Sequence, residues 1–169
     1  MLISFLIWLQ NLQPFSDLRS SAYVYPVVLA LHLSAISLFG AMIVATDLRL
    51  LGWALRDGSI VDVIGRSRWP KRIGFLLAAT CGFLLFSSKA EEYYYNLYFR
   101  AKISLLVLVA VHALVFRKSV YRDADLDVTP EPPPRAKLAA ALSLFLWLGI
   151  LCSGRYIGYV EGRAGMHFK

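Results

Sequence analysis

The chain alternates between long apolar stretches and short charged ones. Residues 20–46, 73–88, 103–116 and 138–154 contain no Asp, Glu, Lys or Arg. A hydrocarbon layer of about 30 Å takes roughly 20 mainly apolar residues per helical crossing. With flanking residues recruited, the pattern predicts four membrane-spanning helices at 24–46, 73–89, 100–118 and 138–160. Pro26 falls in the first turn of the first helix, where its missing N–H costs nothing. The segment DLRLLGWALR, residues 47–56, keeps helical spacing and extends that helix past the membrane surface.

Two segments fall outside this pattern. The start, MLISFLIWLQNLQPF, has too few apolar residues before Gln10 to cross, and Pro14 is expected to end it. It lacks the basic n-region and small-residue cleavage pattern of a signal peptide, so residues 1–15 read as a retained interfacial helix. Residues 123–137, DADLDVTPEPPPRAK, are acidic and then proline-rich, which predicts an extended cytoplasmic linker. The expected fold is therefore all-α: one integral membrane domain over residues 1–169, a four-helix bundle with an N-terminal interfacial helix.

Composition supports the membrane class, with 58% hydrophobic and 17% charged residues. The net charge of +7 does not point to nucleic acid, because the basic residues flank apolar runs and form no aromatic-laced stripe. Their distribution predicts orientation. Eleven of the 18 Lys and Arg residues lie in the loops after the first and third crossings. The positive-inside rule then places those loops in the cytoplasm and both termini on the periplasmic side of a bacterial inner membrane. Cys81 and Cys152 form no C-x-x-C motif and read as inert thiols within apolar runs.

The candidate chemistry lies in the histidines. An ionisable side chain inside a membrane helix is costly unless paired or liganded, and His32 and His112 both fall inside predicted crossings. Neutral imidazole can ligate iron, copper or zinc through one nitrogen while the other donates to a neighbouring group. A b-type haem between two helices needs little more. At 1.5 Å per residue His32 lies about 12 Å from Val24, while His112 lies about 14 Å from Ile103 or about 21 Å from Tyr98. Only a late start for the third helix makes the two level. Arg100, Lys102 and Arg155 near the outer helix ends could neutralise haem propionates. The competing reading makes the histidines interhelical hydrogen bonds and the cations snorkelling residues.

The strings LALHLS and VAVHAL suggest two equivalent helical hairpins, each opened by a histidine-bearing helix. The run YPVVLALHLSAISLFGAMIVATDLRLLG, with NLYFRAKISLL and GRYIGY, resembles an uncharacterised family of small bacterial four-helix inner-membrane proteins. The residues that carry the resemblance are Tyr25, Pro26, His32, Gly40, Asp47 to Gly52, Asn96, Phe99, Lys102, Gly154 and Arg155. It implies the fold and a membrane location and brings no activity. A looser similarity, to four-helix b-type cytochromes and copper-resistance membrane subunits, rests on architecture and intramembrane histidines.

The functional expectation is a haem b electron-transfer subunit. Its cofactor is bound by His32 and His112 as metal ligands with Arg100, Lys102 and Arg155, and its partners are the lipid bilayer, quinone and other membrane or periplasmic redox subunits. The alternative is a non-redox structural or assembly subunit of a larger complex. Tyr93, Tyr94, Tyr95 and Tyr98 read as an interfacial belt. Asp47 and Arg49 read as helix-end charges, with pairing to charged groups of the inner loops or docking of a partner as the alternative, and Met166 with His167 as weak copper candidates. Hydrolytic motifs and paired catalytic carboxylates are absent from the sequence.

Overall fold

A computed structural model describes residues 1–55, 59–119 and 132–164. Among them the chain is wholly helical: α1 Leu2–Gln10, α2 Gln13–Ser20, α3 Val24–Leu51, α4 Ile60–Ser88, α5 Ala90–Tyr95, α6 Leu97–Ser119 and α7 Pro134–Ala164. Helices α3, α4, α6 and α7 are each long and apolar enough to cross a membrane. Their outward surfaces carry large apolar side chains, among them Leu31, Phe75, Leu108 and Phe145, as contact with a bilayer requires.

Local chemistry sets the helix ends. At the start of α6, Asn96 Oδ1 accepts from the backbone N–H groups of Tyr98 and Phe99 at 3.0 and 3.2 Å, satisfying two donors that a helix start leaves open. Ser59 does the same for α4 through the Asp62 N–H at 3.0 Å. The segment DLRLLG is a helix stop. Gly52 adopts φ +74°, its N–H reaches the Arg49 carbonyl at 3.0 Å, and Trp53 N–H reaches the Leu48 carbonyl at 3.0 Å. This 6→1 and 5→2 pair is the Schellman arrangement, and glycine fits it because a side chain at that φ is strained.

Several boundaries differ from the sequence expectation. Helix α4 begins at Ile60 rather than 73 and carries Pro70 inside it; the apolar run marked only its membrane portion. Pro14 starts α2 instead of ending the first segment, since its lost N–H is harmless in a first turn. The tyrosine-rich stretch forms the short helix α5. Helix α7 already begins at Pro134, so the last part of the expected linker is helical; residues 120–131, and Met166 and His167, lie outside the described residues. Cys81 is buried, whereas Cys152 lies on the outside of the bundle.

The bundle is made of two antiparallel hairpins, α3 with α4 and α6 with α7, joined along α3 and α7. No comparable close backbone packing links α4 to α6. A full two-fold repeat would require it, so the equivalence suggested by the two histidine strings is incomplete. Glycines set the hairpin spacing. A Cβ on Gly74 would lie 3.0 Å from Phe39 Cβ and 3.1 Å from its backbone nitrogen, and one on Gly149 would lie 3.1 Å from Leu105 Cδ1. Small residues on one helix thus seat large ones from its partner.

The two ends of the bundle are built differently. At the loop end, where α3 runs out and α7 begins, Leu50, Ile60, Ile64, Ala136, Ala139 and Ala140 form a buried apolar cluster. At the α5 end, α1 packs on α5 and α2 on α4. Gln10 Nε2 donates to Glu91 Oε2 at 3.2 Å and Gln10 Oε1 accepts from the Glu91 N–H at 3.1 Å.

Candidate functional site

His32 leaves α3 toward α4 and lies on Gly82. A Cβ at that glycine would sit 2.9 Å from the imidazole Cε1, closer than carbon atoms pack. The missing side chain exposes the α4 backbone one turn earlier, and the Ala78 carbonyl lies beside the ring. The ring nitrogen Nδ1 is buried and has no hydrogen-bond partner. A buried polar atom left unsatisfied costs about 1–3 kcal/mol, so its persistence calls for an explanation.

Lys102 reaches the same region from the second hairpin. Its Nζ lies 3.6 Å from the position of a Cβ on Gly154 of α7, and its charge acts directly on His32. No Asp or Glu among the described residues lies within ion-pair distance of it. The two hairpins therefore repeat one device: a polar side chain from the first helix seated on a glycine of the second. By this geometry the counterpart of His32 is Lys102, not His112.

His112 serves a different purpose. It is only 8% exposed, its Nε2 donates to the Ala139 carbonyl of α7 at 3.0 Å, and its ring packs on Phe116 at 4.8 Å between centroids. It stands ten residues beyond Lys102 along α6, about 15 Å of helical rise, in the loop-end half of the bundle. Helix α6 starts at Leu97, so the early start, which sets the two histidines at different depths, is the one adopted. The two histidines thus stand at different depths, and His112 is held by the Ala139 carbonyl.

The remaining sequence candidates divide in the same way. Arg155 is turned outward, with NH2 donating to Tyr159 Oη at 3.1 Å and the guanidinium 4.9 Å above that ring. Arg100 is exposed on α6. Only Lys102 of the three cations enters the bundle beside His32. Its approach is paved with aromatic rings: Phe86 stacks on Phe99 at 5.4 Å, Tyr93 on Phe99 at 5.2 Å, and the hydroxyls of Tyr25 and Tyr93 are 3.4 Å apart. Among the described residues no three His, Cys, Asp or Glu side chains gather as metal ligands would.

Nδ1 of His32 and Nζ of Lys102 are thus two polar groups seated on glycines in the same region of the bundle, the first without a partner.

The structure adds a polar cluster that the sequence pattern did not reveal. Asp47, 1% exposed, hydrogen-bonds to Ser143 of α7 and faces Lys71 of α4. Lys71 Nζ donates to Thr46 Oγ1 at 2.7 Å, and Thr46 Oγ1 donates to the Met42 carbonyl at 2.7 Å. Ser143 stands one turn after Ala139, the partner of His112. All four long helices thus contribute a polar group to the loop-end half. The sequence signal was an acidic residue closing a long uncharged run, with a lysine before the next one.

Comparisons with curated proteins and with solved structures yielded no match. Residues 20–160 match a family of unknown function, DUF6644. That stretch takes in all four long helices with His32, Asp47, Lys71, Lys102 and His112, and leaves out most of α1 and α2; the chain belongs to this family.

Proposed function

We propose that the protein is an electron-transfer subunit of the bacterial inner membrane, its α5 end toward the periplasm, which binds the head group of a quinone at His32 and Lys102. The observation that carries this reading is the buried Nδ1 of His32, left without a partner next to an ammonium that has no carboxylate. A quinol hydroxyl would donate to that nitrogen, and a quinone carbonyl would accept from Lys102 Nζ. The α4–α6 side, closed by the stacked rings of Phe86 and Phe99 and not by extensive backbone packing, is the side by which a lipid-dissolved ligand would enter. The chain supplies binding, orientation and a proton acceptor; the electrons pass to a redox centre in a neighbouring subunit.

Haem ligation by His32 is the second reading. It is favoured by the same nitrogen, because a neutral imidazole can present an unprotonated nitrogen as a ligand. It is disfavoured by the commitment of His112 to the Ala139 carbonyl. Titration of the purified protein with a short-chain quinone, read by tyrosine and tryptophan fluorescence, tests the first reading. His32→Ala and Lys102→Met should each weaken binding at least tenfold. A Soret band that disappears in His32→Ala would favour haem instead. A colourless protein that binds no quinone would be a structural or assembly subunit, with both histidines serving as interhelical clamps.

A further inference from the structure

A cavity of about 290 Å³ opens between the N-terminal helices and α5, lined by Gln10, Arg19, Lys89, Glu91, Glu92 and Tyr95. Its lining carries two cations and two carboxylates, a set that matches a ligand bearing both signs of charge better than a simple anion or cation. Arg19 uses NH1 on the Ser88 carbonyl at 3.1 Å, and a guanidinium has five donors to place. Lys89 Nζ stands 3.8 Å from Glu92 Oε2 and 5.4 Å from the centre of the Tyr25 ring, a cation held at the cavity's edge. Glu91 is fixed by its two bonds to Gln10, which hold the cavity's walls together.

Its height in the fold suggests the occupant. Helix α5 sits where α4 ends and α6 begins, at the limit of the apolar spans. Tyr94 and Tyr95 are exposed there, and α1 turns Leu2, Phe5 and Trp8 outward. Aromatic side chains of this kind mark the head-group level of a bilayer, and a short helix with an exposed apolar row lies along it. We propose that the cavity binds the head group of a zwitterionic phospholipid bearing a primary ammonium. The phosphate meets Arg19 and Lys89, the ammonium meets Glu92, and the acyl chains lie on the apolar side of α1. A primary ammonium brings N–H donors for a carboxylate, which a trimethylammonium lacks. The assignment is independent of the ligand at His32.

Native mass spectrometry of the detergent-solubilised full chain, mixed with equal amounts of phosphatidylethanolamine, phosphatidylglycerol and phosphatidylcholine, provides the test. The expected result is severalfold preferential retention of phosphatidylethanolamine. Arg19→Gln should reduce retention of phosphatidylethanolamine and phosphatidylglycerol alike. Glu92→Gln, at an exposed position that should not disturb folding, should abolish the preference between them while leaving total retention similar. Equal retention of the three lipids by the unaltered chain would overturn the proposal, as would an unchanged preference in Glu92→Gln. Soluble glycerophosphoethanolamine competing as strongly as the lipid would overturn the membrane source.

Discussion

The two buried polar regions of the bundle are satisfied to different degrees. Near the loop end, Asp47 has Ser143 and the charge of Lys71, Lys71 has Thr46, and His112 has a carbonyl of α7. One carboxylate oxygen, Asp47 Oδ2, lacks a partner, yet the group's charge is answered from another helix. Nearer the α5 end, His32 and Lys102 rest on glycines, both are half-buried, and the imidazole Nδ1 is buried without a partner. The first arrangement holds helices to one another. In the second, the room that two glycines leave is occupied by polar groups, one of them unsatisfied.

Substitutions should separate the two regions, and the largest effect is expected at the loop end. Asp47→Ala would remove the hydrogen bond to Ser143 and the charge facing Lys71 and should cost about 1.5–3 kcal/mol, the usual scale of a hydrogen bond to a charged group, seen as a drop in the thermal midpoint of the solubilised protein. Adding Lys71→Met should recover part of that loss, because the two groups are coupled. If the double variant is no more stable than Asp47→Ala, the pair is not a unit.

Gly74→Ala comes next, at about 1–3 kcal/mol, since the added Cβ meets the backbone of Phe39. His112→Ala should cost about 1–2 kcal/mol through the lost interhelical bond and the void beside Phe116. His32→Ala should cost least, under about 1 kcal/mol, because the packing lost is offset by removal of a buried, unsatisfied nitrogen. The same substitution should have the largest effect on ligand binding. Equal destabilisation by His32→Ala and His112→Ala would erase the distinction and make both histidines clamps.

Much of this architecture was legible in the sequence because charge is so costly in lipid. The uncharged runs located four long helices without any knowledge of packing. Their ends were less legible, since hydropathy marks the membrane portion and not the helix: α4 runs through Arg66, Arg68, Lys71 and Arg72 before its apolar stretch begins. A cap reading would have found α6, because Asn96 followed by an apolar run is a start signal. His32 and Lys102 were both visible as intramembrane polar residues. Their pairing was not, because it depends on Gly82 and Gly154, whose contribution is an absence of atoms. That Asp47 could meet a charge of the inner loop was legible; that the charge is Lys71 was not, because the two are 24 positions apart and only the register of α3 on α4 brings them face to face.

The clasp between Gln10 and Glu91 spans 81 positions, which imposes an order on biogenesis. The first twenty residues emerge from the ribosome long before their docking surface exists, so they must wait on the membrane while the first hairpin is threaded and its far turn is delivered. Closing that clasp is then a late event in assembly, and deletion of residues 2–20 should leave insertion of the four long helices intact while loosening the turn that receives them.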